Sequence, residues 1–384
     1  MMRVLHVHSG NLYGGVETLL VTLARLAGLC PALESEFALS YNGRLAAELR
    51  ESGAQVHQLG EVRARYPLAV WRARRRLGQL LCERRFDAAV CHMAWAQAIF
   101  GATVSAAKIP LVFWMHDAAG GRHWLERWAR RTPPDLTVCN SRFTAATLPR
   151  LYPDSPYELV HCPVAPGQPP LTEAERAALR RQLDTPPDAV VIVQASRLEP
   201  WKGQMLHLEA LAHLRDLPGW FCWIAGGAQR PHEAVFLDQL RAAADRFGIA
   251  GHLRFLGDRS DVARVLAAAD ICCQPNLGPE PFGIAFVEAL GAGLPAVSTA
   301  IGGATEIIDE TCGILVPSND QQALATALRR LIESPAERAR LGAAGPRRAR
   351  TLCDPATQMG RLVQVLERAA AAANGAARLA GALG

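Results

Sequence analysis

Two cations five residues apart, Arg197 and Lys202, stand in the stretch Ala195-Ser196-Arg197-Leu198-Glu199-Pro200-Trp201-Lys202-Gly203, which leaves an apolar run and leads into a helix-length segment. In such a loop the planar guanidinium fork and the ammonium point charge can converge on one diphosphate. The carboxyl edge of a parallel sheet, where this loop would sit, is also where folds of that kind bind ligands. Solvent-exposed charge is the ordinary alternative for both residues. A second stretch, Pro275-Asn276-Leu277-Gly278-Pro279-Glu280-Pro281-Phe282-Gly283-Ile284-Ala285-Phe286-Val287-Glu288, puts Glu280 in a turn-rich loop and Glu288 in the helix that begins around Gly283. A carboxylate can accept from two vicinal hydroxyls at once, so the loop acid suits a hexose and the helical acid a ribose diol. The Gly283 and Ile284 amides at the helix start would then face a phosphate between the two sugars. A surface cap for Glu280 and a solvent-facing Glu288 are the plainer readings, but they leave unexplained a charge at 288 in a helix otherwise so apolar. Third, Gly14 and Gly15 occur where the first strand turns into the first helix, so backbone there can approach an anion closely. A tight turn explains the glycines equally well, and Glu17 can merely complement the helix dipole.

These residues need a scaffold of strand ends and helix starts, and the hydrophobic pattern supplies one. Short apolar runs alternate with amphipathic segments, as in parallel sheets covered by helices. The first half offers strands at 4–8, 36–39, 55–58, 88–92, 111–115, 136–139 and 158–161, with helices at 15–27, 67–82 and 141–151. After a proline-rich segment at 163–170, which predicts a hinge, a second series follows at 190–194, 220–225, 253–256, 271–274, 296–298 and 313–316. The expected organisation is an N-terminal Rossmann-like domain over 1–165 and a C-terminal one over 166–354. An Ala-rich helix over 355–384 would pack back across the interface, with a loosely ordered tail after Asn374.

Composition narrows the class. At 384 residues with 50% hydrophobic and 20% charged, the chain can bury two cores and is not disordered. Residues 1–165 hold 19 Lys and Arg against 13 Asp and Glu, and the remainder 22 against 23, so the whole net charge of +5 is N-terminal in origin. The excess is concentrated between Arg63 and Arg85 and lacks any nucleic-acid-binding pattern, which argues against a nucleic acid partner. Trp71, Leu77, Leu80 and Leu81 are interleaved with those arginines, so the segment reads either as a peripheral contact with anionic membrane or as a solvated helix face. The ten cysteines form no CxxC pair and read as small core hydrophobes in a reducing compartment. With no signal-peptide pattern and no apolar run of ~18 residues, a cytoplasmic protein is expected.

Taken together, these motifs resemble the large retaining glycosyltransferase family four. The resemblance covers nearly the whole length and rests on Gly14-Gly15, Arg197 with Lys202-Gly203, Ile224-Ala225-Gly226-Gly227, Phe255-Leu256-Gly257, the Glu280 to Glu288 spacing and Gly302-Gly303-Ala304-Thr305-Glu306-Ile307. It implies the α/β GT-B fold, two Rossmann-like domains with a cleft between them, and transfer of a hexose from a UDP- or GDP-sugar to an acceptor. By the same resemblance Arg197 and Lys202 hold the diphosphate, Glu288 the ribose and Glu280 the hexose, while Leu256 to Asp261 lie near the base. Pro281, Phe282, Gly283 and Ile284 complete the donor loop, although Pro281 departs from many relatives and offers no N–H. His116, in Trp114-Met115-His116-Asp117, resembles the family's histidine that faces the donor sugar.

Fixed positive groups at the diphosphate would stabilise the departing nucleotide more than the bound donor. No Asp-x-Asp triplet occurs, so neither metal nor other cofactor is expected. Two other classes stay open at this point: a sugar-nucleotide epimerase or phosphorylase of the same fold, and a non-catalytic sugar-nucleotide-binding component of a polysaccharide assembly complex.

Overall fold

The computed structural model of the chain describes residues 1–165 and 170–382, the last ten of these as backbone only. Half of the expected hinge at 163–170, residues 166–169, therefore lies outside the described residues. The chain divides into two units, Met1–Ala165 with Cys353–Gly384 and Pro166–Leu352.

Unit 1 is built on seven strands: β1 (Met2–His8), β2 (Leu33–Leu39), β3 (Gln55–Gln58), β4 (Ala88–His92), β5 (Leu111–Met115), β6 (Leu136–Cys139) and β7 (Tyr157–Leu159). They form one sheet in the order β3-β2-β1-β4-β5-β6-β7, every pair parallel. The central strands β4 and β5 are buried along their whole length, as their continuous apolar runs require of a sheet covered on both faces. The sheet order reverses between β1 and β4, the place where ligands of doubly wound sheets bind.

Unit 2 repeats the plan with six strands: β8 (Val190–Ala195), β9 (Trp220–Ala225), β10 (Leu253–Gly257), β11 (Ile271–Gln274), β12 (Ala296–Thr299) and β13 (Gly313–Val316). Their order is β10-β9-β8-β11-β12-β13, again all parallel. Here the reversal falls between β8 and β11, so the loop carrying Arg197 and Lys202 and the loop carrying Glu280 leave neighbouring strands at the same edge. One core of unit 2 holds Leu208, Trp220, Leu240 and Leu328, and another holds Val193, Trp223, Leu266 and Ala289.

The C-terminal helix Pro355–Ala382 belongs to unit 1, where it packs against β4 and β5. It buries Met359, Leu362, Val365 and Leu366 and ties Arg368 to Glu158 at 2.7 Å. Its backbone helix runs on past Asn374, where the sequence reading begins a loose tail, as the alanine-rich composition allows.

All ten cysteines are free thiols; eight are buried, whereas Cys30 is half-buried and Cys82 is exposed on the outer side of the helix Pro67–Glu83. That helix sorts its basic segment. Leu77, Leu80 and Leu81 are buried in the core and unable to insert elsewhere, while Tyr66, Leu68 and Trp71 stay exposed.

Candidate active site

In unit 2 the loop after β8 is latched to the loop after β11. The Trp201 carbonyl accepts from the Leu277 amide at 2.8 Å and the Gly278 amide at 3.2 Å. Gly203 makes the close approach feasible: its φ is +73°, and a Cβ there would lie 1.8 Å from the Pro275 oxygen. Buried amides fix the loop from below. Gln194, at the end of β8, donates through Nε2 to the Lys202 carbonyl at 2.9 Å and accepts at Oε1 from His207 Nδ1 at 2.8 Å. Gln204 donates to the Arg197 carbonyl at 2.7 Å and to Ser196 Oγ at 3.1 Å. Gln194, Gln204 and His207 are fully buried, so both cations leave a rigid base.

Each cation already has a carboxylate. Lys202 Nζ meets Glu280 Oε2 at 2.5 Å, and Arg197 pairs with Glu199 at 2.9 Å. Glu280 Oε2 is a hub that also accepts from Gln274 Nε2 and Asn276 Nδ2, each at 3.2 Å. Its other oxygen, Oε1, has no partner among the described residues. The Glu280 backbone is pinned as well, pairing as a parallel bridge with Gly302 and accepting from the Gly303 amide at 2.6 Å. A side chain at Gly302 would collide with the Glu280 backbone at 2.5 Å.

Gly283, with φ +109°, turns this loop into the helix Ile284–Gly291, whose first turn carries no side-chain cap. Phe282 is buried beneath the loop, so its ring anchors the turn; Pro281 beside it is half-buried. Along the helix Phe286, Val287, Ala289 and Leu290 are buried, and Glu288 among them is half-buried with no hydrogen-bond partner among the described residues. Desolvation pushes its carboxyl up to about 7. Leu256 lies in β10 one residue before Gly257, whose carbonyl accepts from the Gly226 amide at 2.9 Å and closes the neighbouring loop.

Unit 1 places its sequence-picked residues differently. Gly14 is the extended N-cap, φ −166°, of the helix Gly15–Arg25, and no side chain caps that helix. Glu17 is buried and hydrogen-bonded to His8 Nε2 at 2.7 Å, a more specific role than complementing the dipole. His116 is buried just beyond β5 and bonded through Nε2 to His92 Nδ1 at 2.9 Å; His92 Nε2 in turn meets His6 Nδ1 at 3.0 Å. Burial pushes His6 and His116 down to about 3 and His92 well below its usual value, so all three are neutral at ordinary pH.

Sequence reasoning missed His6, His8 and His92 in unit 1, and Gln194, Gln204, His207, Gln274 and Asn276 in unit 2. One signal was available. Gln194, Gln274 and His92 each end an apolar strand run with a buried polar residue facing the binding edge. Among the described residues no group of His, Cys, Asp and Glu is arranged to hold a metal ion.

The chain is similar to known proteins in both sequence and fold. The sequence model of Glycosyltransferase Family 4 matches residues 13–168, and that of Glycosyl transferases group 1 matches residues 175–348. A D-inositol 3-phosphate glycosyltransferase of Jonesia denitrificans is 35% identical over 206 residues, 50% of this chain and 47% of that protein. A phosphatidyl-myo-inositol mannosyltransferase of Mycobacterium leprae is 41% identical over 111 residues, 28% of this chain and 29% of that one. The chain spans about half the length of the D-inositol 3-phosphate glycosyltransferases it matches. In fold it is similar to Anabaena Alr3699/HepE, solved in complex with UDP and glucose, with a TM-score of 0.84 and 22% identity over 96% of this chain and 100% of that one. Two Rossmann-like units, a basic loop and a carboxylate loop at one sheet edge, and matches that between them cover most of the sequence lead to one assignment: the chain belongs to glycosyltransferase family 4.

Proposed function

We propose that the protein transfers a hexose from a UDP- or GDP-sugar to a hydroxyl acceptor, with retention of anomeric configuration and without a metal. The observation that carries this reading is Glu280, held on one oxygen by Lys202, Gln274 and Asn276 and open on the other. A carboxylate fixed in that way can accept from sugar hydroxyls while the ammonium beside it faces the phosphate that departs. Glu288, four residues beyond the uncapped helix start, takes the ribose diol. Arg197, Lys202 and the Gly283 and Ile284 amides receive the charge that develops on the nucleoside diphosphate, and His116 is read as a group that meets a sugar hydroxyl. Retention follows from attack on the leaving-group face, with the donor phosphate taking the acceptor proton. The UDP and glucose in the solved Anabaena complex support a nucleotide sugar of this kind.

Thermal-shift screening of nucleotide sugars, followed by a product assay with the best binder in EDTA, tests the proposal. Product formed only with added metal would overturn the metal-free mechanism. Consumption of the donor without acceptor, or only with phosphate, would replace transfer by epimerisation or phosphorolysis.

The partner surface is the outer side of the helix Pro67–Glu83 with its preceding turn, and we place the protein at the cytoplasmic face of an anionic membrane. Tyr66, Leu68 and Trp71 are exposed there beside Arg65, Arg72 and Arg75, and Arg65 and Arg75 lie over the Tyr66 and Trp71 rings at 5.0 and 5.7 Å. Arg74, Arg76 and Arg84 are turned inward to the Ile99 and Leu59 carbonyls and to Glu36. Exposed rings and cations together suit an interface with acidic headgroups. No helix among the described residues is long and apolar enough to cross a membrane. Flotation with vesicles of phosphatidylglycerol should carry the protein, and Trp71→Ser should release it; equal absence from acidic and neutral vesicles discards the surface.

A further inference from the structure

His6, His92 and His116 come from three adjacent strands or their ends, β1, β4 and β5, and touch in series. Ser35 Oγ lies 3.3 Å from His6 Nε2, His6 Nδ1 lies 3.0 Å from His92 Nε2, and His92 Nδ1 lies 2.9 Å from His116 Nε2. The rings cannot turn to choose other partners. His92 and His116 stack on one another at 5.2 Å, Trp114 stacks on both at 5.4 and 5.5 Å, and Phe37 stacks on His6 at 5.2 Å. His116 Nδ1, at the end of the line, has no partner among the described residues.

A neutral imidazole carries one N–H, and a nitrogen-to-nitrogen hydrogen bond holds one proton. Three rings and two such bonds leave two ordered arrangements. In the first, every ring is protonated on Nδ1: Ser35 donates to His6, His6 to His92, His92 to His116, and His116 presents an N–H to whatever binds there. In the second, every ring is protonated on Nε2, His6 donates to Ser35, and His116 presents a bare, accepting nitrogen. Any mixed arrangement leaves one buried contact with two protons or none, at a cost comparable to a lost hydrogen bond.

We propose that His6 and His92, closed off by Ser35, are positioning residues that set whether His116 offers a donor or an acceptor to a ligand hydroxyl. The proposal rests on the reading of His116 as a sugar-facing group, and it explains why that ring is backed by two more rather than by a carbonyl. Interconversion passes one proton along the line with every ring neutral before and after. One proton leaves His116 Nδ1 to water or ligand, one crosses each nitrogen-to-nitrogen bond, the Ser35 hydroxyl proton passes to His6, and water at the half-exposed Ser35 replaces it.

Ser35→Ala is the mild test, because it removes the only hydroxyl at the far end of the line. A buried N–H of His6 would then have nowhere to donate, so the line should settle with every Nδ1 protonated. Imidazole ¹⁵N spectra of the free, full-length protein should show His116 Nδ1 moving to, or held fully at, the protonated position. In His92→Phe, which keeps the stack and cuts the line, His116 should revert to a mixture of tautomers and cease to respond to Ser35→Ala. A His116 signal identical in wild type, His92→Phe and Ser35→Ala overturns the coupling. Failure of the underlying site reading has a different signature: His116→Ala would then turn over nucleotide sugar like wild type, whatever the spectra show.

Discussion

The two units share a sheet plan but equip the same edge in opposite ways. Unit 2 puts charges there that are already matched, Lys202 to Glu280 and Arg197 to Glu199, while Glu288 has no ion-pair partner among the described residues. Unit 1 puts neutral rings there, buried and joined nitrogen to nitrogen. Lys202 and Glu280 are each only 12% exposed and Arg197 32%, so a ligand group that replaces an internal partner must supply charge-assisted hydrogen bonds of its own. Fully buried imidazoles cannot gain charge cheaply, so their use lies in direction rather than charge. Under the proposed function, the charged loops of unit 2 suit the anionic part of a donor.

The strongest way to break that contrast is to remove a unit 2 cation. Lys202→Ala or Arg197→Ala should lower kcat by roughly 10²-fold or more, the scale for one preorganised donor to developing charge. The double variant should lose less than the two losses combined, since both serve one diphosphate. Arg197→Lys should remain impaired, because an ammonium lacks the planar fork. Lys202→Ala also strands Glu280, so adding Glu280→Gln should recover part of its stability, though not its activity. Near-normal kcat in both single variants would move the diphosphate elsewhere.

A smaller effect separates the two acids. Glu288→Gln should weaken binding of the free nucleoside diphosphate by about tenfold, the scale of one charge-assisted hydrogen bond. Glu280→Gln should leave that affinity alone and impair use of the sugar. Calorimetric titration of both variants decides it, and equal losses of nucleotide affinity would end the division of roles.

Legibility in the sequence divides along the same line. Arg197 with Lys202, and Glu280 with Glu288, each fall within one short stretch, so local spacing and the strand-to-helix context were enough to find them. Strand positions were equally local: β3, β4, β5, β6, β9, β11 and β13 begin and end where the apolar runs do. The histidine line was not local. His92 is level with His8 only once β1 is known to pair with β4, and His116 lies two residues beyond the level of His92 only once β4 is known to pair with β5. Alternation places the three rings on one face, but register, which a single sequence leaves open, brings them into contact. The pairing of Lys202 with Glu280 was hidden for a similar reason, since the latch between their loops depends on Gly203 approaching the backbone of residue 275.

The sharpest test of the contrast is the sign of each unit's response to acid. The three histidines are held down in the fold, to about 3 for His6 and His116, against a usual 6.5. Between those values the unfolded chain binds protons that the folded one refuses, so unit 1 should lose stability as pH falls from about 6.5 toward 3, by at most roughly 1.4 kcal/mol per pH unit per histidine. Glu288 works the other way. Its folded value of about 7 exceeds the usual 4.5, so the folded form binds the extra proton and unit 2 gains stability as pH falls from about 7 to 4.5. Nucleotide binding inverts this benefit, because a protonated carboxyl is a poorer acceptor for the ribose diol, and affinity should therefore fall as pH drops below about 7 and cease to do so in Glu288→Gln. Hydrogen exchange read separately on β4 and on β11 at pH 7 and pH 5 checks the contrast: protection should fall in β4 more than in β11, and His92→Phe should reduce the loss in β4. Parallel losses in both strands, unchanged by His92→Phe, would show that acid acts on the two units through some other group.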